Sequence, residues 1–436
     1  MAQPAFREFT ATFARIGLLS FGGPAGQIAL MHRELVEQRN WVDEGQFLRA
    51  LNFCHLLPGP EAQQLATYIG WRLHGAKGGL VAGLLFVIPG AAVILALSIL
   101  YGLAADLAWF DALFLGIKAA VLAIVVQALI RIGRRALDTR FKRLLAGAAL
   151  LALFVFDLPF PLVVLGSGAI GMLAASFRPA WLNLAPAAAP RPPAVPRRTL
   201  IGRTMANILA WALIWAAPMA LVWLALGPDH ILWRIGIFFS QLAMVTFGGA
   251  YAVLAYMAQE AVQSHHWLAA GEMADGLGLA ETTPGPLIMV TQFVGYLAAF
   301  RAPAPFAPLV AGILGAGLTT WVTFAPCFLW IFAFAPWIER LEHARKLQGG
   351  LAALTAAVVG VIANLTLWFA LHVLFARVEE TRIGIARLYM PDWASFDWKA
   401  ALLALLAALL MFRLGRGVLA TLALCGAAGL ALGAMS

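Results

Sequence analysis

Residues 13–60 read FARIGLLSFGGPAGQIALMHRELVEQRNWVDEGQFLRALNFCHLLPGP, and residues 239–286 read FSQLAMVTFGGAYAVLAYMAQEAVQSHHWLAAGEMADGLGLAETTPGP. The two stretches align without a gap at a displacement of 226, the distance from Phe21 to Phe247. Phe13 meets Phe239, Phe21-Gly22-Gly23 meets Phe247-Gly248-Gly249, Met31 meets Met257 and Glu34 meets Glu260. Trp41 then meets Trp267, Gly45 meets Gly271, and Pro58-Gly59-Pro60 meets Pro284-Gly285-Pro286. A bias toward Leu and Ala does not place glycines and prolines in register, so the two halves are read as structural repeats.

Each copy heads a series of apolar segments. In the first half these are 6–36, 46–73, 79–103, 109–131, 141–157 and 160–177; their counterparts are 232–262, 267–300, 306–335, 349–375, 398–412 and 415–434. Runs such as 80–103, 113–130 and 351–375 approach or exceed the roughly 20 apolar residues needed to cross about 30 Å of hydrocarbon. Between the halves lie a basic, proline-rich linker, 178–203, and one unpaired apolar run, 205–226. The expected organisation is a first repeat over 1–177, linker and extra helix over 178–231, and a second repeat over 232–436. The fold class is all-α: a polytopic membrane protein of about thirteen segments with discontinuous helices.

Composition agrees. Hydrophobic residues make up 62% of the chain and charged ones 12%, so a soluble fold has no way to hide the apolar surface. The net charge of +9 does not indicate nucleic acid, because the excess falls in short turns between apolar runs. Six segments and one more deliver the chain to the opposite face, so the second repeat is expected to be inverted. Arg72, Lys77, Arg131, Arg134, Arg135, Arg140, Lys142 and Arg143 fall on one side of this scheme, as do Arg340, Arg345, Lys346, Arg413 and Arg416. That side is cytoplasmic by the positive-inside rule, with the amino terminus inside and the carboxyl terminus outside. The first residues lack a signal-peptide pattern, and the amino terminus is expected to be retained.

Inverted repeats are common in secondary transporters, whose sites lie where discontinuous helices meet. Ser20, Gly22, Gly23 and Pro24 mark one break, and Pro58, Gly59 and Pro60 the next. Gly248, Gly249, Thr283, Pro284, Gly285 and Pro286 mark the second pair. Pro24, Pro60 and Pro286 read as helix starts. A helix starting inside the membrane turns unpaired amides and partial positive charge inward, which suits an anion, while glycine permits close approach. Arg15 is a candidate cation for a dianion, or a side chain snorkelling to the headgroups; its repeat partner is Gln241. Asn52, Gln63, Gln64, Thr282 and Thr283 are candidate hydrogen-bond donors, or helix-packing residues.

His55, Glu61 and Glu281 are candidate proton carriers, Glu281 standing at the repeat position of His55. Glu61 could equally cap its helix. Lys118, in the middle of a segment, has no counterpart. Arg33, Glu34 and Glu260, near segment ends, read as interfacial salt-bridge residues. Cys54, Cys327 and Cys425 sit in apolar runs without metal-ligand spacing and read as packing residues. No nucleotide-binding loop, metalloprotease helix or nucleophile elbow is present, so neither enzyme activity nor a cofactor is expected.

At Phe21-Gly22-Gly23-Pro24, the stretch 34–41, LLPGPEAQQLATYIGW over 56–71, and the second-half FGG and TPGP runs, the chain resembles the chromate ion transporter family in its long two-domain bacterial form. The resemblance covers nearly the whole chain. It implies export of chromate across the bacterial inner membrane, driven by protons, conferring resistance, with the isosteric dianion sulfate as competitor. A homodimer within membrane lipid is a further expectation. The second copy departs from the first in having Ala250 after FGG and Gln241 opposite Arg15, which places the weight of function on the first repeat.

Overall fold

A computed structural model describes residues 4–104, 107–184, 197–247, 250–338 and 344–434. It is an all-α polytopic membrane protein with six helices long and apolar enough to span a bilayer among the described residues. The chain forms two compact units, and each takes segments from both sequence repeats.

The first unit comprises Met1–Ile99, Pro186–Val253 and Thr283–Arg345. It opens with α1 (Phe6–Leu19), α2 (Gly23–His32) and α3 (Glu44–His55), then α4 (Glu61–Ala104), most of which lies in this unit. Helix α2 starts from Gly22 in the left-handed region with Pro24 in its first turn, where a missing amide costs nothing. The Asp43 carboxylate caps α3 by accepting from the Gln46 amide. The segments 6–36 and 46–73 are not straight broken helices. Arg15 and Glu34 lie 3.7 Å apart, whereas one continuous helix would separate them by about 28 Å. Rings of Phe53 and Tyr68 lie 5.7 Å apart against about 22 Å on a continuous helix. Both segments therefore double back at their glycine–proline breaks.

Helix α4 reverses as well, at His74 and Gly75, where Gly75 has φ of 61°. Small residues line the contact of its two arms: a Cβ on Gly70 would come within 2.4 Å of the Gly78 carbonyl, and one on Gly78 within 2.2 Å of the Gly70 carbonyl. In lipid such close backbone approach takes the place of hydrophobic driving force. The second repeat supplies α9 (Ile231–Met244), α12 (Val290–Arg301) and α13 (Pro308–Phe334), with the linking helix α8 (Arg197–Leu226) against α13. The arms α12 and α13 repeat the device, with Gly295 and Gly315 in contact.

The second unit comprises Leu100–Ala185, Leu254–Thr282 and Lys346–Ser436. It holds α5 (Ala108–Ala136), α6 (Arg140–Phe154), α7 (Phe160–Phe177), most of α10 (Ala250–Gln259), α11 (Ala270–Thr282), α14 (Arg345–Leu374), α15 (Trp398–Ala408) and α16 (Val418–Ala434). Small residues again set the packing: Gly116 lies under the Cys425 carbonyl and Gly360 under that of Ala146. One element is not helical. Val378–Ile383 and Ala386–Pro391 pair as an antiparallel hairpin, β1 and β2, turning at Gly384 with φ of 62°. It is tied to the α6–α7 turn by the buried Arg387, which ion-pairs with Asp157 at 2.6 Å and donates to the Leu153 carbonyl.

Candidate functional site

Three of the four breaks are fully described, and the described part of the fourth joins them in the first unit. The Gly285 amide donates to the Ser20 carbonyl at 2.9 Å, and the Gly59 amide donates to the Thr246 carbonyl at 2.7 Å. Ser20 and Thr246 are repeat equivalents, as are Gly59 and Gly285, so these bonds form a reciprocal pair. Each hydroxyl turns back to its own helix in the same way: Ser20 Oγ donates to the Ile16 carbonyl and Thr246 Oγ1 to that of Leu242, both at 2.6 Å. The first break of each repeat is thus bonded to the second break of the other. Both donor glycines have positive φ, 123° at Gly59 and 91° at Gly285, where a side chain is strained.

Neighbouring helices close on these tips. A Cβ at Gly90, on the second arm of α4, would lie 2.4 Å from the Pro284 carbonyl; one at Gly59 would lie 2.8 Å from Cys327 Sγ on α13. Each second-break glycine therefore rests on the long helix of the opposite repeat. The buried Gln27 donates to the Gly285 carbonyl at 2.6 Å, and Gln64 to the Pro58 carbonyl at 2.7 Å. The amides of Gly59 and Gly285 are consequently committed to the protein and not open toward a guest. Pro60 and Pro286 stand one residue ahead of the following helical turns, which begin at Glu61 and Leu287, while Pro24 lies within α2.

Side chains supply the remaining donors. Gln63 gives one amide hydrogen to Thr67 Oγ1 at 3.0 Å, and Gln64 gives one to Pro58; each retains a second N–H and a buried Oε1 with no hydrogen-bond partner among the described residues. The buried Thr323 hydroxyl, one helical turn before Cys327, likewise has no partner among the described residues. Glu61 is buried at the start of α4, with 8% of its surface exposed. Gly22 is exposed, and a Cβ there would meet nothing within 4 Å.

Other expected residues lie elsewhere. Arg15 is 58% exposed and pairs with Glu34, which also holds Arg39. Asn52 and His55 are exposed on α3. Glu281 is buried but belongs to the second unit, whereas the buried Thr283 belongs to the first. Gly248 and Gly249 lie outside the described residues.

Sequence patterning missed Gln27, Gly90, Thr323 and, in the second unit, Asp275. Lys118, without a counterpart in the sequence, lies 3.4 Å from Asp275 Oδ2, which also accepts from the Tyr101 hydroxyl at 2.7 Å. The repeat position of Asp275 is Arg49, so symmetry gave no hint of an acid there.

A polytopic helical membrane protein whose two repeats exchange bonds at internal helix breaks is the class that fold and site define. The sequence profile of the chromate transporter family matches the chain over residues 7–172 and again over 233–430. The chain belongs to the chromate transporter family. It is 31% identical over 406 residues to the chromate transport protein of Pseudomonas aeruginosa, covering 91% of this chain and 88% of that one. It is 29% identical over 367 residues to a probable chromate transport protein of Synechococcus elongatus, covering 83% and 84%. The chromate transport protein of Cupriavidus metallidurans is 29% identical over 378 residues, covering 82% and 81%. No solved structure matches the chain.

Proposed function

We propose that this protein is a secondary transporter of the bacterial inner membrane that exports chromate from the cytoplasm in exchange for protons and thereby confers chromate resistance. The observation that carries the proposal is the reciprocal bonding of Ser20 with Gly285 and of Thr246 with Gly59. It supports a two-fold arrangement of inverted repeats about a central region, as alternating access requires; the basic turns favour an amino terminus inside and a carboxyl terminus outside. In this reading chromate is held by the second N–H groups of Gln63 and Gln64, the Thr323 hydroxyl and the start of α2, where Gly22 is exposed and Gly23 buried. Glu61, buried at the start of the same helix as Gln63 and Gln64, is the proton carrier in this reading.

The test is purified protein in vesicles with an acidic lumen. An exchanger of chromate for protons accumulates chromate inside as protons leave; absence of accumulation, or accumulation only when the outside is acidic, overturns export by exchange. Excess sulfate is expected to compete, since charge and shape are shared.

A further inference from the structure

We propose that Asp275, Lys118 and Tyr101 form a proton-binding site in the second unit that couples transport to the pH gradient; the inference rests on the proton-driven reading above. Lys118 lies well inside α5, about 15 Å along the helix from Ala108, in one of the spanning segments. The side chain of Asp275 is 3% exposed. Ionisable groups at such depth are costly and are kept for function.

The bonding is lopsided. Lys118 Nζ and the Tyr101 hydroxyl both address Oδ2, at 3.4 and 2.7 Å, while Oδ1 is buried with no hydrogen-bond partner among the described residues. A purely structural salt bridge would engage both carboxylate oxygens, because an unsatisfied buried one is expensive. Here the free oxygen is where a proton binds. Uptake converts the ionised carboxylate to a carboxylic acid: one O–H bond forms at Oδ1 as one breaks in the hydronium ion that delivers the proton, and the charge of the pair changes from zero to +1. Lys118 is then released from its counterion, which gives the site two distinct states.

The surroundings leave room for that switch. A Cβ on Gly271 would lie 3.1 Å from Lys118 Nζ, so this glycine opens the space beside the ammonium, while Gly278 seats α11 on Ile117 of α5. The charged groups around Asp275 are Lys118 from α5 and Glu272 on its own helix; Tyr101 comes from the end of α4. Helix α16, which also packs on α11, brings no charged residue, and its Cys425 thiol faces the Leu403 carbonyl.

The test uses the full chain in vesicles and reads chromate–chromate exchange at equal pH alongside chromate accumulation driven by an acidic lumen. Asp275→Asn is expected to keep exchange and lose accumulation. Normal accumulation by this variant overturns the inference, and so does wild-type exchange that ignores the pH gradient. Acid-minus-alkaline infrared difference spectra give a second readout: the wild type should show a protonated carboxyl band that Tyr101→Phe displaces and Asp275→Asn removes. Should Asp275→Asn fail to fold, an undisplaced band in folded Tyr101→Phe overturns the assignment. Wild-type protein with the band but without chromate exchange would instead count against the transport reading alone.

Discussion

Gly59 hands its amide proton to the carbonyl of Thr246, in the opposite sequence repeat, across 2.7 Å, and Gly285 mirrors it on Ser20. Both donors have backbone angles that only glycine adopts freely. Gly59→Ala and Gly285→Ala should each cost about 1–2 kcal/mol from the left-handed backbone alone. Gly59→Ala adds a contact with Cys327 Sγ. Lower melting temperatures and reduced chromate flux in vesicles are the expected outcome, with Gly59→Ala the more affected.

Gly90 offers a sharper contrast. Its substitution by Ala drives a methyl to 2.4 Å from the Pro284 carbonyl, and backbone cannot step aside as a flexible side chain can. At Gly166 on α7 a methyl meets nothing within 4 Å. Gly90→Ala is expected to abolish transport, whereas Gly166→Ala leaves flux unchanged and, by helix propensity, adds up to about 1 kcal/mol of stability. Flux and thermal unfolding measured on the pair check this.

Gln64→Leu removes the donor to the Pro58 carbonyl, leaving a buried acceptor unpaired at about 1–3 kcal/mol. It also removes a proposed ligand. The apparent KM for chromate should rise, and sulfate inhibition should weaken in parallel, in initial-rate vesicle assays.

Asp157→Asn preserves the left-handed turn at that position, which Asn tolerates, but takes the counterion from Arg387, itself only 3% exposed. An uncompensated buried guanidinium costs on the order of 3 kcal/mol. The β1–β2 hairpin should detach first, seen as faster amide exchange over 378–391.

At the carboxyl-terminal end of α2, His32 is held at 2.5 Å by Glu44 and at 3.0 Å by Glu37. The Glu44 hydrogen bond, foremost, raises its pKa above the ordinary 6.5. A raised folded value means that the contribution is complete below pH 6.5 and fades as pH climbs through the folded value. The melting-temperature gap between wild type and His32→Gln should therefore be widest in mild acid and close in alkali.

Much of the architecture was legible because membrane segments announce themselves by length and apolarity, and the breaks by glycine and proline in register. What the sequence withheld depends on contacts between distant segments. Arg15 meets Glu34 only because the first segment doubles back, and Asp275 is an unremarked acid in GEMADGLGLA until Lys118 and Tyr101 surround it. The hairpin over 378–391 lies beyond the apolar runs on which the segment reading rests, and its partner strand and its anchor at Asp157 are features of the fold. Gln27 and Gly90 carry no mark of their roles, since the groups they touch are backbone atoms nearly 200 or more positions away.

The compact units do not follow the repeats, because α1 to α4 from one half and α9, α12 and α13 from the other complete a single unit. A gene cut at the linker would therefore yield two polypeptides, each carrying part of a body that the other must finish. Expressed apart, such fragments are expected to be degraded; made together, they are expected to restore each other in trans.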